Sequence, residues 1–429
     1  MPRRSFGVAL AVTALVALPA GTIPSSAASA ATPEPVIGHA VFNDPAGSAT
    51  AQDAVFTQLA GLIERVPAGQ DIELTTYGFD VVDGAGAPDL AADLVAAYQR
   101  GVHVRVIVDH ASAANAPVDT LRAALGSDDT APSYLVDCKD QFPEGPDRGC
   151  IGTRQYLWPG TSTPTHAYNH NKFALFSQVA LSSGTVSDVV YQASANIGTW
   201  DSQNAYNNAF TYTDPRTYDY YHQYFDDLRD YRHSSTGDND YYRDSGTGTR
   251  YRVFFFPRHE PAGASFTDSS SDTVYNILRS VACTHTNPDG SKHQTLVRVA
   301  NWALDRTDVA QQLNTLAQAG CWVDVVYSNV STGAHAALNS AKNLQVTQCD
   351  YTTGGRRIRV HSKYLLINGG ITGDPGAHLW TGSPNLAWGE LRQADEAMLR
   401  VLDQGDHDEY LADFWHVRDT CRANGGIVK

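Results

Sequence analysis

The chain is poor in positive charge, has no closely spaced cysteine pair and has no long apolar run after its first 30 residues. Its 31 lysines and arginines stand against 46 aspartates and glutamates, which gives a formal net charge of −15. Nucleic-acid binders gain most of their affinity from basic side chains that neutralise phosphates, so this balance disfavours nucleic acid as a partner. The six cysteines lack CxxC spacing, which disfavours a thiolate zinc site. No later segment reaches the length that a membrane helix needs.

The first 30 residues have the features of a targeting segment. Arg3 and Arg4 precede an apolar run (FGVALAVTALVAL), and the small-x-small sequence Ala28-Ser29-Ala30 follows it. This order is typical of a secretory signal peptide, so we expect cleavage near Ala30 and a secreted mature chain. Loss of the two arginines makes that mature chain more acidic still.

Six cysteines in an exported chain predict disulfide bonds, because the cell exterior is oxidising. Cys138 and Cys150 bracket a loop rich in proline, glycine and charge, and we expect them to pair. The other four cysteines are Cys283, Cys321, Cys349 and Cys421. They allow three pairings, of which we favour the one that joins Cys283 to Cys321. Buried free thiols are the alternative.

A strand, a helix and a second strand follow one another in the first half of the chain. Residues 72–77 (IELTTY) alternate in polarity as a strand does, and 90–100 have the apolar spacing of a helix. Gly101 then leads into VHVRVIVD, where valine and isoleucine recur with period two. Since glycine often ends a helix, the block predicts a βαβ unit with parallel strands.

The same block occurs again in the second half. Residues 295–300 (TLVRVA) form the predicted strand and 308–319 (DVAQQLNTLAQA) the predicted helix, and Gly320 leads into the strand CWVDVVYS. A repeat of this kind predicts a duplicated fold.

A polar stretch rich in serine, glycine and aspartate separates the first-half block and its motifs from the second-half block and its motifs. Such a composition is typical of an exposed connection. The sequence therefore predicts an N-terminal lobe over 34–235, a linker over 236–252 and a C-terminal lobe over 253–429.

Each half also carries a His-x-Lys motif followed by a segment of small residues that ends in asparagine. The first half has His170-Asn171-Lys172 and then Ser194-Ala195-Asn196. The second half has His361-Ser362-Lys363 and then Gly382-Ser383-Pro384-Asn385. From histidine to asparagine the spacing is 26 residues in one half and 24 in the other. Chance rarely places the same residue types at near-equal spacing twice.

These motifs suit chemistry on a phosphodiester. On a strand, residues i and i+2 point to one face, so each histidine shares a face with its lysine. Displacement at phosphorus requires neutralised charge, a nucleophile and an acid for the leaving alkoxide. The two lysines and two asparagines suit the nonbridging oxygens, one imidazole suits attack and the other suits proton transfer, so no metal or cofactor is needed. A single such motif is more often structural, and it is the second copy that favours catalysis.

The motifs and the blocks before them resemble the phospholipase D superfamily, whose signature is HxKxxxxD followed by a GSxN segment. The resemblance covers both halves. It implies an α/β protein with two homologous lobes, each an α/β/α sandwich, related by a pseudo-twofold axis around one active site. It also implies a phosphohistidine intermediate. The chain departs from the signature at Ser177 and Asn368, where the family has aspartate. The missing carboxylates either affect only the stability of the lobes or abolish activity.

Each imidazole also needs an acceptor that orients it. Family members that resemble the segment LAWGELRQADEAML use a glutamate there, which is Glu396, 11 residues after the second-half asparagine. The same offset in the first half falls on Asn207, with Asn208 and Asp201 close by. An amide orients a histidine but stabilises an imidazolium less than a carboxylate does.

The resemblance to secreted bacterial phospholipases D implies a role for each histidine. His170 is the expected nucleophile, and His361, paired with Glu396, is the expected acid and base. The remaining predicted site residues are Ser194, Ser383 and Asn207, which we expect to bind substrate.

Export, acidic charge and the lack of a basic stretch favour a phospholipid or a small headgroup phosphodiester as substrate. The expected reaction is phospholipase D hydrolysis to phosphatidate and an alcohol such as choline or ethanolamine, with headgroup exchange when an alcohol replaces water. We expect a monomer that meets a membrane or micelle surface transiently. A secreted nuclease of the same family, or a catalytically decayed protein that binds phosphate or lipid, are the alternatives.

Overall fold

The computed structural model describes residues 32–428 except 238, 247–249, 287–288 and 339–340. The predicted signal peptide, residues 1–30, lies outside the described residues. From Pro33 onward the chain forms one compact unit. None of the described helices combines the length and the apolar character needed to cross a lipid bilayer.

The first half forms a mixed sheet of strand order β1-β8-β6-β5-β2-β3-β4, in which β2, β3 and β4 are parallel. In chain order its elements are β1 (His39–Phe42), α1 (Ala49–Gln52), α2 (Ala54–Glu64), β2 (Asp71–Thr76), α3 (Leu90–Gln99), β3 (His103–Val108), α4 (Ala116–Leu125), β4 (Tyr134–Asp137), β5 (Lys172–Leu181), β6 (Gly184–Ala193), α5 (Thr199–Gln203), β7 (Ala205–Tyr206), β8 (Asn208–Thr213) and α6 (Pro215–Tyr231).

The second half forms a mixed sheet of strand order β22-β16-β15-β14-β19-β20-β21-β10-β9. Its elements are β9 (Arg243–Asp244), β10 (Tyr251–Phe256), α7 (Thr273–Arg279), β11 (Val281–Ala282), β12 (Thr284–Thr286), β13 (Lys292–Gln294), β14 (Leu296–Leu304), α8 (Thr307–Gln318), β15 (Trp322–Val330), α9 (Thr332–Ala337), β16 (Leu344–Gln348), β17 (Asp350–Thr353), β18 (Arg356–Val360), β19 (Lys363–Ile371), β20 (Gly376–Gly382), α10 (Trp388–Arg392), β21 (Glu396–Leu402), α11 (Gln404–Ala423) and β22 (Ile427–Val428).

The two sheets repeat one topology. The parallel strands β4-β3-β2 correspond to β16-β15-β14. The antiparallel strands β5-β6-β8 correspond to β19-β20-β21, and each set begins at the lysine of a His-x-Lys motif. The α/β fold and the duplication predicted from the sequence are confirmed.

The helices of the repeated block begin and end where local signals place them. Asp89 caps α3 by accepting a hydrogen bond from the Ala92 amide. Gly101 and Gly320 follow the C-caps of α3 and α8 with φ values of +91° and +101°, a conformation that costs least for glycine. Both predicted helices and the strands on either side of them are therefore present in both halves.

A hydrophobic cluster between the two sheets holds the halves together. It includes Phe173 and Tyr224 from the first half and Tyr364, Leu366 and Tyr410 from the second, all of them buried. Separate clusters lie beneath the outer helices of each half. Pulling the halves apart would expose the shared cluster to water, which opposes their separation.

The polar stretch predicted as a linker is partly built into the second sheet. Its Arg243–Asp244 segment forms β9 and pairs with β10, and the neighbouring Tyr241 is buried. An aromatic side chain within the stretch thus anchors it to the core. The boundaries at 235 and 253 stay a prediction.

Three disulfides join Cys138 to Cys150, Cys283 to Cys321, and Cys349 to Cys421. The two pairings favoured from the sequence are confirmed, and the alternative of free thiols is wrong.

The two positions that lack the family aspartate lie inside strands β5 and β19, away from the motif histidines. Each is five residues past its lysine, about 16 Å along an extended strand. The Ser177 hydroxyl accepts from the Asp71 amide at 2.8 Å and donates to Gln70 Oε1 at 3.0 Å. Asn368 pairs across the sheet with Leu296. Both residues therefore lie beside the start of the neighbouring strand, which is β2 for Ser177 and β14 for Asn368.

Replacing Cys349 and Cys421 together by alanine should lower the free energy of unfolding by about 2–4 kcal/mol, because their bond closes a long loop in the unfolded chain. Urea unfolding of both proteins, with and without reductant, measures the change. An equal sensitivity of the variant and the wild type to reductant would contradict a stabilising role for this bond.

Candidate active site

Each motif histidine is hydrogen-bonded through its backbone to the opposite half of the chain. The end of β18 pairs in parallel with β7, and the His361 amide donates to the Tyr206 carbonyl at 2.9 Å. In the other half, the His170 amide donates to the Asp395 carbonyl, also at 2.9 Å. In both cases the accepting residue directly precedes a side chain expected to orient an imidazole.

We call this exchange of backbone hydrogen bonds between the halves the crossed pairing. It determines which side chain orients each imidazole. Glu396 Oε1 lies 2.6 Å from His170 Nδ1. Asn207 Oδ1 and Asp201 Oδ1 each lie 3.0 Å from His361 Nδ1. The predicted pairing of Glu396 with His361 is wrong, because the orienting residues of each half face the histidine of the other half.

The two serines of the asparagine segments lie behind these partners. The Ser194 hydroxyl donates to Asn207 Oδ1 at 2.9 Å, and the Ser383 hydroxyl donates to the carbonyl of Ala397, the residue after Glu396, at 3.2 Å. Both serines are fully buried. The two serines and Asn207 are therefore held by hydrogen bonds within the protein, and their contact with substrate stays a prediction.

The lysines of the two halves belong to one polar cluster. Each ammonium donates to the carbonyl of its own histidine at 2.7 Å, as expected for residues i and i+2 on one face. Lys363 also reaches across to the Ser194 carbonyl at 3.3 Å. The charge of Lys363 acts on His170, and the charge of Lys172 acts on His361. The two motifs therefore meet in one place.

An acidic residue five positions after each asparagine holds its amide. Asn196 Nδ2 donates to Asp201 at 3.4 Å, and Asn385 Nδ2 donates to Glu390 at 2.6 Å. An amide nitrogen has two hydrogens, so each asparagine retains one for an anionic ligand. Glu390 was missed from the sequence, although the repeated spacing of five residues was a signal for it.

Two aromatic rings flank each imidazole edge-on. Tyr77 and Tyr168 lie 5.3 and 5.5 Å from the His170 ring, centre to centre. Trp200 and Trp302 both lie 5.3 Å from the His361 ring. Tyr77 and Trp302 occupy equivalent positions, because each follows the residue of β2 or β14 that pairs with a motif lysine. The other tryptophans near the motifs, Trp380 and Trp388, pack in the core of the second half.

Burial and mutual repulsion lower the pKa values of the histidines and of Lys172 in the site. Burial lowers the pKa of His170 well below its usual range, and the two lysine charges lower it further. Burial and Lys363 lower the pKa of His361 to about 4. Burial also lowers the pKa of Lys172 to about 8, although Glu396 opposes the shift. A bound anion relieves all three, since it stabilises every positive charge around it.

A buried carboxylate next to Glu396 fixes the crossed pairing. The Asp395 side chain accepts hydrogen bonds from the amides of Cys150, Ile151 and Gly152 at 2.6 to 3.1 Å. Burial raises the pKa of Asp395 to about 7 against these bonds. Within the described chain, Asp395 with Cys138 and Cys150 is the one cluster tight enough for a metal ion, and the disulfide removes its thiolates.

Comparison with known proteins finds a related domain and a similar fold. Residues 66–229 match the family model described as cardiolipin synthase, PLD-like domain. This part of the chain, which includes the first His-x-Lys motif, is a PLD-like domain. The phosphatidylserine synthase of Haemophilus influenzae has a fold similar to that of the chain, with a TM-score of 0.54, 12% identity and coverage of 88% of this chain and 86% of that one.

Two further solved structures align less closely. Yeast tyrosyl-DNA phosphodiesterase has a TM-score of 0.43 and 10% identity over 85% of this chain and 89% of its own. Polyphosphate kinase from Porphyromonas gingivalis has a TM-score of 0.48 and 14% identity over 89% of this chain. The chain spans about half the length of that kinase, 53%. A search of curated proteins found no match.

The affinity of the site for sulfate should fall as the pH rises above about 8. Burial lowers the pKa of Lys172 to about 8, so the free protein loses this positive charge as the pH rises through that value. Titration calorimetry measures the affinity, and sulfate keeps its charge throughout. An affinity that stays constant from about pH 7 to 9 would show an ordinary lysine pKa instead.

Proposed function

We propose that the chain is a secreted phospholipase D, which hydrolyses the headgroup phosphodiester of a phospholipid to phosphatidate and an alcohol. One observation carries the proposal. Two imidazoles, each oriented by a side chain of the opposite half, lie in one buried cluster with two lysine ammonium groups. Such a cluster neutralises an anion and supplies both a nucleophile and a proton donor.

The first step of the proposed reaction forms a phosphohistidine. With the shared proton on His170 Nδ1, held by Glu396, the Nε2 lone pair is free to attack phosphorus. The bond from phosphorus to the headgroup oxygen breaks, and His361 Nε2 gives its proton to the departing alkoxide. The bound phosphate raises the pKa of His361, because it offsets the lysine charges that lower it. Glu396 stabilises the positive charge that develops on the attacking ring.

The second step releases phosphatidate. His361, now neutral, accepts a proton from water as the water oxygen attacks phosphorus, and the phosphorus–nitrogen bond to His170 breaks. An alcohol in place of water gives headgroup exchange by the same route. In both steps the lysine ammonium groups and the asparagine amides hold the nonbridging oxygens, whose charge grows in the transition state. The lysines, the asparagines and the histidines supply all these roles themselves.

Composition supports a lipid substrate and an extracellular setting. A formal net charge of −15 disfavours polyanionic nucleic acid. Three disulfides favour an oxidising compartment, and the N-terminal segment has the order of a signal peptide. The proposed enzyme acts as a monomer and contacts a membrane or micelle surface during turnover.

The purified protein in EDTA should hydrolyse phosphatidylcholine or phosphatidylethanolamine and leave plasmid DNA intact. Chromatography of the lipid products and gel analysis of the plasmid measure the two activities, with the His170→Ala variant as the control. Cleaved plasmid beside intact lipid would assign a nuclease. The absence of product from every substrate would assign a protein that only binds phosphate or lipid.

Stopping the reaction after a single turnover should reveal phosphorylated His170. In the His361→Ala variant the intermediate should accumulate, because the base that activates water is missing. Mass spectrometry of peptides quenched at alkaline pH, where phosphohistidine survives, locates the adduct. An adduct on His361 in the His170→Ala variant would reverse the two roles, and no adduct in either variant would contradict covalent catalysis.

A further inference from the structure

A cationic side chain lies beside the second-half histidine and has no part in the mechanism above. Arg359 precedes His361 by two residues, so both point to the same face of the segment. Its guanidinium carbon lies 4.9 Å from the Trp302 ring centre and 5.5 Å from the Trp200 ring centre. The same two rings flank the imidazole. Arg359 therefore stands at the rim of the site on the His361 side.

The guanidinium of Arg359 lacks an anionic partner among the described residues. Its Nε is buried without a hydrogen bond, and the carboxylate whose charge acts on it is that of Asp350. The carboxylate across the strand pair, Asp350, is held by both nitrogens that Arg357 presents to it. Burying a charged donor without an acceptor is unfavourable, so a ligand anion at this point gains an unusually strong hydrogen bond.

The equivalent position in the first half carries a side chain that already has a hydrogen-bond partner. There Tyr168 precedes the histidine by two residues, and its hydroxyl is hydrogen-bonded to Glu390. The side chain at this position is therefore uncharged and already bonded to a carboxylate, whereas the corresponding side chain on the His361 side is a cation. The difference makes the two ends of the bound phosphodiester distinguishable.

The stacking of Arg359 also affects which headgroups fit. A quaternary ammonium group binds to proteins through aromatic faces. Here the two indole rings beside His361 already carry a cation, which repels a second one. The same face attracts a carboxylate, which a guanidinium binds through two parallel hydrogen bonds.

We propose that Arg359 binds a second anionic group of the substrate, a carboxylate carried by the leaving headgroup, and that the enzyme therefore prefers such headgroups to choline and ethanolamine. The inference rests on the proposed function, in which His361 protonates the leaving headgroup. Arg359 then selects among substrates, while the histidines and lysines cut any of them.

Phosphatidylserine and phosphatidylethanolamine test the inference, because their headgroups differ only by a carboxylate. Each lipid is presented at the same low fraction in neutral detergent micelles, so the surface charge stays small. The wild-type kcat/KM should be at least about tenfold higher for phosphatidylserine. In Arg359→Gln this ratio should fall about ten- to a hundredfold, the range expected for loss of a charged hydrogen bond. Arg359→Lys keeps the charge but lacks the planar guanidinium, so its ratio should lie between those of the wild type and Arg359→Gln.

The double variant Arg357→Gln/Asp350→Asn is the matched control. It removes a neighbouring ion pair of the same strand pair without freeing a carboxylate opposite Arg359, so the ratio should stay at the wild-type value. Inhibition of phosphatidylethanolamine hydrolysis by free phosphoserine, compared with phosphoethanolamine, gives a second measurement on wild-type protein. Stronger inhibition by phosphoserine is expected, and it does not depend on the variants folding.

Two failures are distinguishable. An equal ratio in wild type and Arg359→Gln, with hydrolysis that still requires His170, would overturn the inference and leave the proposed function standing. Lipid hydrolysis that survives His170→Ala, or no lipid product at all, would overturn the proposed function and the inference with it.

Discussion

Two backbone hydrogen bonds between the halves determine the geometry of the whole site. The amides of His170 and His361 donate to carbonyls of the opposite half, and the next residue after each carbonyl meets an imidazole. Each half on its own therefore has a histidine without its partner. The shared hydrophobic cluster brings the sheets together, and the crossed pairing then fixes the positions of the rings. Orientation of a catalytic imidazole by an acceptor on its second nitrogen is what makes one tautomer available for reaction.

Much of the fold could be predicted from local sequence. Period-two strands and a helix followed by glycine occur twice, and the structure contains both blocks. The duplication could be found because the motif spacing was nearly equal in the two halves. The crossed partners could not, because strand periodicity describes neighbours along the chain and carries no information on which half supplies a residue at the interface. Glu396 was found by resemblance and assigned to the wrong ring for that reason.

The surroundings of the histidines were predicted least well. Tyr77 and Trp302 look like the ends of ordinary strands, and aromatic residues there are as typical of a core as of a cleft. Ser194 and Ser383 belong to the motif segments, and the sequence did not indicate that their buried hydroxyls donate to partners within the protein. The acidic residue five positions after each asparagine could be found only by comparing the two segments, because neither spacing is informative alone.

The pseudo-twofold arrangement also bears on how such a chain can evolve. A symmetric dimer of identical halves repeats every contact, so both imidazoles would have the same partner and the same flanking residues. Fusion of the halves into one polypeptide removes that identity. Glutamate can then face one ring and asparagine the other, and tyrosine can stand where the second copy has arginine. Because each segment serves the opposite histidine, the halves must nevertheless change as a coupled pair, and a substitution in one is selected through its effect on the other.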